Sequence, residues 1–204
     1  MYCKLSALFI AALFACQTAG AQSLEGLLKM FGLGSSEQKE QSATAQPAQA
    51  LTADGLLGVW HYAEPASRYD GDDVLGSIGV KALETALPSM YAKAGLADGK
   101  GTMTFAAPDT ASGQIGEYGV TGSYAFTAED GSLTLSAEVG GVSGVLHGSA
   151  SLEGDVLTLL FDASEAAAIV ERVSPKAASN DNFRMMKSLL EKYPGVKLGC
   201  RMKR

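Results

Sequence analysis

The strongest constraint on the fold is a long run of short segments in which apolar and polar residues alternate. Six such segments follow one another between Gly101 and Asp162, and a period of two is typical of β-strands with one buried face. Turn residues separate them, and the glycines of Glu129–Ser132 and Glu153–Asp155 suit the positive φ of tight hairpins. The pattern predicts an antiparallel meander with strands at residues 101–107, 113–118, 121–127, 133–139, 145–152 and 156–162.

Two further strands flank this meander. Leu57–Ala63 precedes it and contains Trp60, the only tryptophan of the chain, while Val196–Arg204 follows it with apolar residues at every second position. Eight antiparallel strands are enough to close a barrel that is filled by side chains or holds one small ligand. We therefore predict an eight-stranded antiparallel up-and-down barrel in which the last strand pairs with the first. The alternative is an open meander capped by helices.

Helical periodicity replaces the alternation in two places. Apolar residues spaced by three and four from Val74 to Met90 predict a helix between strands 1 and 2, which Pro88 would kink or divide. Two more helices are predicted between strands 7 and 8, one ending before Pro175 and one capped by Ser179 or Asn180. The predicted fold class is mainly β, a barrel with helical insertions at these two positions.

The first 21 residues have the order of a signal peptide. Lys4 supplies the positive start, residues 5–15 an apolar run, and Ala19–Ala21 a small-residue cleavage site. The alternative is a lipoprotein box at Leu13–Cys16, in which Cys16 would carry a lipid anchor. We expect an exported protein, periplasmic or secreted, that is anchored in the envelope only if Cys16 is lipidated.

Residues 22–50 are predicted to be a short helix followed by a disordered linker. Their polar part has almost nothing to bury and cannot offset the entropy lost on ordering. The barrel domain is therefore placed at residues 51–204.

Composition and motifs argue against several functions. With 16 Lys and Arg against 22 Asp and Glu, the net charge is −6, which disfavours nucleic acid as a partner. His61 and His147 are the only histidines, and neither a zinc-binding spacing nor a nucleophile elbow accompanies them. No stretch after the signal has the roughly 20 apolar residues of a transmembrane helix. We expect no enzyme activity, no cofactor, no metal and no transmembrane segment, and the sequence identifies no protein partner.

The order of the elements resembles a known family. Gly58-Val59-Trp60 at the start of an eight-stranded meander resembles the glycine-x-tryptophan signature of lipocalin and calycin-like barrels. More closely, residues 51–204 are similar to a lipocalin-like domain of unknown function found in exported proteins of Gram-negative gut bacteria. The shared features are the first strand ending Trp60-His61-Tyr62, the helical insert, the paired late helices and a last strand rich in Gly and Lys. The resemblance implies structural roles for Gly58 and Trp60 and no catalytic residues.

The inward faces of the strands combine large apolar residues with small ones, which predicts a site for a small apolar molecule. Small residues such as Gly122, Ala137, Gly148 and Ala150 would leave space between the large side chains. Trp60 is expected to be a structural plug near the closed end. The alternative is a filled barrel that serves as an envelope interaction or structural module. The predicted ligand contacts are Tyr62, Phe105, Tyr124, Phe126, Leu135 and Leu198.

Overall fold

Eight antiparallel strands close into a barrel in the computed structural model, which describes residues 51–204 except 94, 95, 97, 98, 116, 117, 140 and 180. Each strand pairs with the next along the chain, and the last pairs with the first. This arrangement confirms the predicted up-and-down barrel. The predicted signal peptide at 1–21 and linker at 22–50 lie outside the described residues. The strands are β1 (Gly58–Tyr69), β2 (Gly101–Ala106), β3 (Thr110–Ile115), β4 (Tyr118–Thr127), β5 (Ser132–Val139), β6 (Val142–Glu153), β7 (Val156–Asp162) and β8 (Val196–Lys203).

Helices occupy the two predicted insertions. A long helix lies between β1 and β2 and continues through Pro88, so the proline does not divide it. Three helices lie between β7 and β8, the first of which begins where the Asp162 carboxylate accepts from the backbone N–H groups of Ser164 (2.9 Å) and Glu165 (3.1 Å). Such caps satisfy amides that the first helical turn leaves without partners. The described helices are α1 (Ala53–Leu56), α2 (Val74–Lys93), α3 (Ala163–Val173), α4 (Pro175–Ala178) and α5 (Asp181–Lys192).

The first strand extends six residues beyond its predicted end at Ala63. Its pairing with β8 shifts between Tyr62 and Glu64 and then continues to Tyr69, which is the signature of a β-bulge. Among the described residues, the ladder between β1 and β2 ends at His61. Pro65 therefore lies where the strand has a ladder on one side only, a position that tolerates a residue without an N–H.

Charged residues on the outside of β8 pair with the neighbouring strand and the loop that follows it. Arg201 Nη1 lies 2.8 Å from Glu64 Oε1, and Lys197 Nζ lies 3.7 Å from Asp70 Oδ2. The Arg68 guanidinium also binds Asp70 and lowers the pKa of that carboxyl. Each of these exposed pairs contributes at most about 1 kcal/mol. These contacts partly neutralise the Lys and Arg side chains of β8.

Candidate functional site

The two halves of the barrel interior differ. In the half where β1 begins, large side chains fill the space: Phe105 and Leu133 are each 1% exposed, and Leu157 is fully buried. The rings of Phe105 and Tyr124 meet edge to face with centroids 5.1 Å apart, which is a favoured aromatic geometry. Phe126 pairs across the ladder with Leu133 and packs against the same cluster. This half is a solid core.

Trp60 and α1 close the filled end. The Trp60 indole Nε1–H donates to the Leu56 carbonyl at 2.9 Å, so the buried ring has its polar atom satisfied. Above the ring, the guanidinium carbon of Arg204 lies 4.6 Å from the ring centroid. Arg204 also donates to the Gly55 carbonyl at 2.8 Å, which joins the end of β8 to α1. Trp60 is thus buried at the filled end of the barrel.

The other half contains a cavity of about 120 Å³. Its wall consists mainly of inward residues of the strands, and the α2 and α3 regions supply the rest. No Asp, Glu, Lys, Arg or His of the described residues lines it. The lining is Tyr62, Tyr91, Leu96, Gly101, Thr102, Met103, Ala111, Gly113, Val120, Gly122, Ser123, Leu135, Ser136, Ala137, Gly144, Leu146, Leu159, Phe161, Ala166, Ile169, Leu198, Gly199, Cys200 and Met202.

A row of small residues explains why space remains in this half. Ala111 pairs with Gly122, Gly122 with Ala137, and Ala137 with Gly144, so four adjacent strands carry a small residue at the same level of the wall. One level nearer the filled end, strands β4, β5 and β6 carry the larger residues Tyr124, Leu135 and Leu146. Gly148 and Ala150, which were also predicted to leave space, are not part of the described lining.

Two helical regions place side chains over this row. Leu96, after α2, lies so close to Gly101 that a Cβ at that position would clash with its side chain. On the opposite side, a Cβ at Gly144 would lie 2.9 Å from Ile169 Cδ1 of α3. The two glycines therefore let helical side chains enter the mouth of the barrel. Tyr91 of α2 and Ala166 of α3 complete the cover.

Polar contacts hold both covering helices. On the α2 side, Ser67 Oγ donates to Glu84 Oε1 at 3.0 Å. On the α3 side, the Glu165 carboxylate accepts from the His147 backbone N–H at 2.7 Å, and its other oxygen lies 2.8 Å from His147 Nδ1. The ladder between β6 and β7 ends at Gly148, so the backbone N–H of His147 has no partner on β7. The Glu165 carboxylate satisfies this N–H instead. His147 is thus a contact between β6 and α3.

Burial keeps two of the weakly acidic groups that line the cavity, Tyr91 and Cys200, protonated. Tyr91 is 2% exposed and its hydroxyl donates to the Gly199 carbonyl at 2.8 Å. Burial raises the pKa of Tyr91 well above its ordinary value. Burial likewise raises the pKa of the Cys200 thiol to about 12. Neither group is therefore activated as a nucleophile, which would require a lowered pKa or an adjacent base.

The predicted ligand contacts divide between the two halves. Tyr62, Leu135 and Leu198 line the cavity. Phe105, Tyr124 and Phe126 do not, because they pack in the filled half. The signature residues Gly58 and Trp60 also lie outside the lining, and Gly58 has a φ of 123° that favours glycine.

Four of the lining residues that the sequence did not indicate come from the helical regions. Tyr91 follows the last position, Met90, of the predicted buried helix face, and Leu96 lies beyond that helix. Ala166 and Ile169 belong to the predicted helix before Pro175, whose buried face gave no sign that it would cover the barrel mouth. The periodicity indicated that each helix buries one face, but it does not identify the part of the protein against which that face packs.

Within the described part of the chain, no group of three or more potential metal ligands occurs. His61 is exposed on β1, and His147 is occupied with Glu165. None of the described helices is long and apolar enough to cross a bilayer.

Comparison with protein families gives one finding. A family model described as a lipocalin-like domain (DUF4923) matches residues 32–204. Comparison with curated proteins and with solved structures gives no match.

Proposed function

The chain belongs to the lipocalin-like domain family, and we propose that its barrel binds a small apolar molecule in the cavity beneath α2 and α3. The observation that supports this proposal is the division of the interior, since one half is packed solid and the other retains about 120 Å³ of space with an almost wholly apolar wall. Protein interiors normally contain few voids larger than a water molecule. An apolar space of this size suits an apolar guest.

The volume sets the size of the guest. Sites for drug-sized ligands occupy about 300–1,000 Å³, so this cavity cannot enclose the whole of a long acyl chain or a retinoid. An engineered apolar cavity of about 150 Å³ binds benzene or xenon. The guest is therefore a molecule close to the size of a single ring.

Under this proposal, the protein is a binding protein and not an enzyme. Tyr91 and Cys200, two groups of the cavity wall that could attack a substrate, are both held in their protonated forms by burial. No titratable pair poised for acid–base exchange faces the cavity within the described residues. An active site requires several such groups in mutual reach.

A structural or interaction role is the second candidate, and the filled half of the barrel is the observation that favours it. An interaction surface usually includes a continuous exposed apolar patch. Among the described residues, the large hydrophobic side chains that are exposed are Val59 (49%) and Val145 (45%), and they lie on the non-adjacent strands β1 and β6. The cavity is therefore a better-supported functional site than the outer surface of the barrel.

We further propose that this binding takes place outside the cytoplasm, in the periplasm or after secretion. The support is the signal-peptide order of residues 1–21. The intact mass of the protein purified from cells is the test. A chain that begins at Gln22 supports simple cleavage, a chain that begins at a lipidated Cys16 places the protein on a membrane, and an uncut chain contradicts export.

Binding is tested by NMR titration of the isotope-labelled protein with benzene. We expect saturable shifts of backbone amides around Leu135, Ala137 and Leu198. Ala166→Leu, which fills the cavity from α3, should abolish these shifts. Ala167→Leu, at a buried residue of the same helix that is not in the lining, should retain them. Shifts that never saturate, or that are equal in the two variants, contradict the proposal.

A further inference from the structure

We infer that the ligand is a neutral molecule of one ring that carries a hydrogen-bond donor, as phenols and anilines do, and that this donor binds the Tyr91 hydroxyl oxygen. The inference rests on the proposed function and names the chemical class of its ligand. Three features of the cavity carry it: the absence of charge, the hydrogen bonding of Tyr91, and the limited volume.

Charge is the first feature. No cationic or carboxylate side chain of the described residues lines the cavity, and Tyr91 and Cys200 remain neutral. An ion placed there would lose its hydration without gaining a counter-charge, which is far more costly than burying a neutral polar group. Carboxylates such as fatty acids and benzoate are therefore excluded in their ionised forms.

The second feature is the hydrogen bonding of Tyr91. Its single O–H proton is donated to the Gly199 carbonyl at 2.8 Å. A phenol oxygen that donates its proton keeps the capacity to accept. Both Tyr91 and Gly199 line the cavity, and we place the Tyr91 oxygen at its wall as an acceptor for the guest. A ligand O–H or N–H satisfies it, whereas a ligand carbonyl does not.

Volume and shape are the third feature. The Tyr62 and Tyr91 rings lie 6.0 Å apart with their planes tilted by 43°, so they form an aromatic corner of the cavity. The small-residue row from Ala111 to Gly144 lines the strand wall. About 120 Å³ between them accommodates one ring. A ring in this space meets aromatic faces and aliphatic side chains, and its donor reaches Tyr91.

The test compares phenol with toluene, which have the same number of heavy atoms and differ in the donor. Both are titrated calorimetrically into the wild-type chain and into Tyr91→Phe, with benzoate as the charged probe. We expect the variant to lose roughly two- to tenfold more affinity for phenol than for toluene, the range of one neutral hydrogen bond. Benzoate should not bind either protein at neutral pH.

The outcomes separate the two proposals. If neither toluene nor phenol binds, the proposed function fails. If both bind and Tyr91→Phe affects them equally, or if benzoate binds as well as phenol, the binding function stands and the ligand class is wrong. Should Tyr91→Phe fail to fold, a crystal structure of the wild-type chain soaked in phenol decides. A phenol oxygen within hydrogen-bond distance of Tyr91 Oη supports the inference, and an oxygen directed elsewhere overturns it.

Discussion

Ala166→Leu should stabilise the protein, although it enlarges a buried residue. Ala166 is 5% exposed on α3 and its side chain lines the cavity. Most small-to-large changes in a packed core cost about 1–3 kcal/mol because the added atoms have no room. Here the atoms would enter existing space, so they gain burial without displacing neighbours.

The magnitude follows from the atoms that are added. Leucine has three more carbon groups than alanine, and burial contributes about 0.8 kcal/mol for each, or about 2.4 kcal/mol in total. Ordering the leucine side chain costs about 0.5–1 kcal/mol, and the two residues differ little in helix propensity. The expected gain in the free energy of unfolding is about 1.5 kcal/mol. For a chain of this length, that gain corresponds to a rise in Tm of about 3–6 °C.

The assay is chemical denaturation followed by circular dichroism, with Ala167→Leu as the matched control. Ala167 is 3% exposed on the same helix but does not line the cavity, so the same change there should destabilise by about 1–3 kcal/mol. Ala166→Leu should therefore raise the free energy of unfolding, and Ala167→Leu should lower it. If both variants lose stability by similar amounts, no usable space lies beneath α3 and the cavity account is refuted.

Other parts of the account are tested by four further changes. Deleting Val196–Arg204 removes the strand that closes the barrel, so circular dichroism should show no cooperative unfolding; a stable truncation would contradict the topology. Leu96→Ala should destabilise by about 2–4 kcal/mol while admitting naphthalene, which the wild-type chain excludes, and calorimetry that finds no naphthalene binding would count against the role of Leu96 as cover. Arg204→Ala should cost about 1 kcal/mol in denaturant melts because it removes the cation–π contact with Trp60 and the hydrogen bond to the Gly55 carbonyl, whereas the exposed Lys203→Ala should change little; equal effects would show that Arg204 does not stabilise this end of the barrel. The pKa of Cys200 is raised from 9.0 to about 12 in the folded chain, so its contribution to stability is complete below pH 9 and is lost as pH rises toward 12. The free energy of unfolding should fall over this range by up to about 1.4 kcal/mol per pH unit. Cys200→Ala should make this fall less steep, and an unchanged dependence on pH would show that the thiol is not its cause.

Most of the fold could be predicted from the sequence, because alternation with a period of two specifies which residues face inward. The two glycine turns at Gly131 and Gly154 have the positive φ that was expected, 70° and 63°. The extension of β1 to Tyr69 was missed, because the bulge after Tyr62 shifts the alternation and makes Glu64–Arg68 read as a loop. A bulge changes which residues of a strand face the barrel interior, and it leaves no clear sign in the sequence.

The cavity was predicted less completely than the barrel. The row Ala111, Gly122, Ala137 and Gly144 depends on the register between four strands, which single-strand patterns do not specify. Its first and last members were also placed outside the predicted strands, which began at Gly113 and Val145. Small residues carry a weak strand signal, so a cavity-forming position is easily read as the end of a strand.

The central claim is that the barrel carries a ligand in its unfilled half, and native mass spectrometry of the protein purified from the cells that make it tests this claim most directly. We predict a one-to-one complex that releases a neutral molecule of one-ring size on denaturation, and no such molecule on Ala166→Leu prepared in the same way. A wild-type protein that carries nothing, or a molecule that Ala166→Leu carries equally, would contradict the claim.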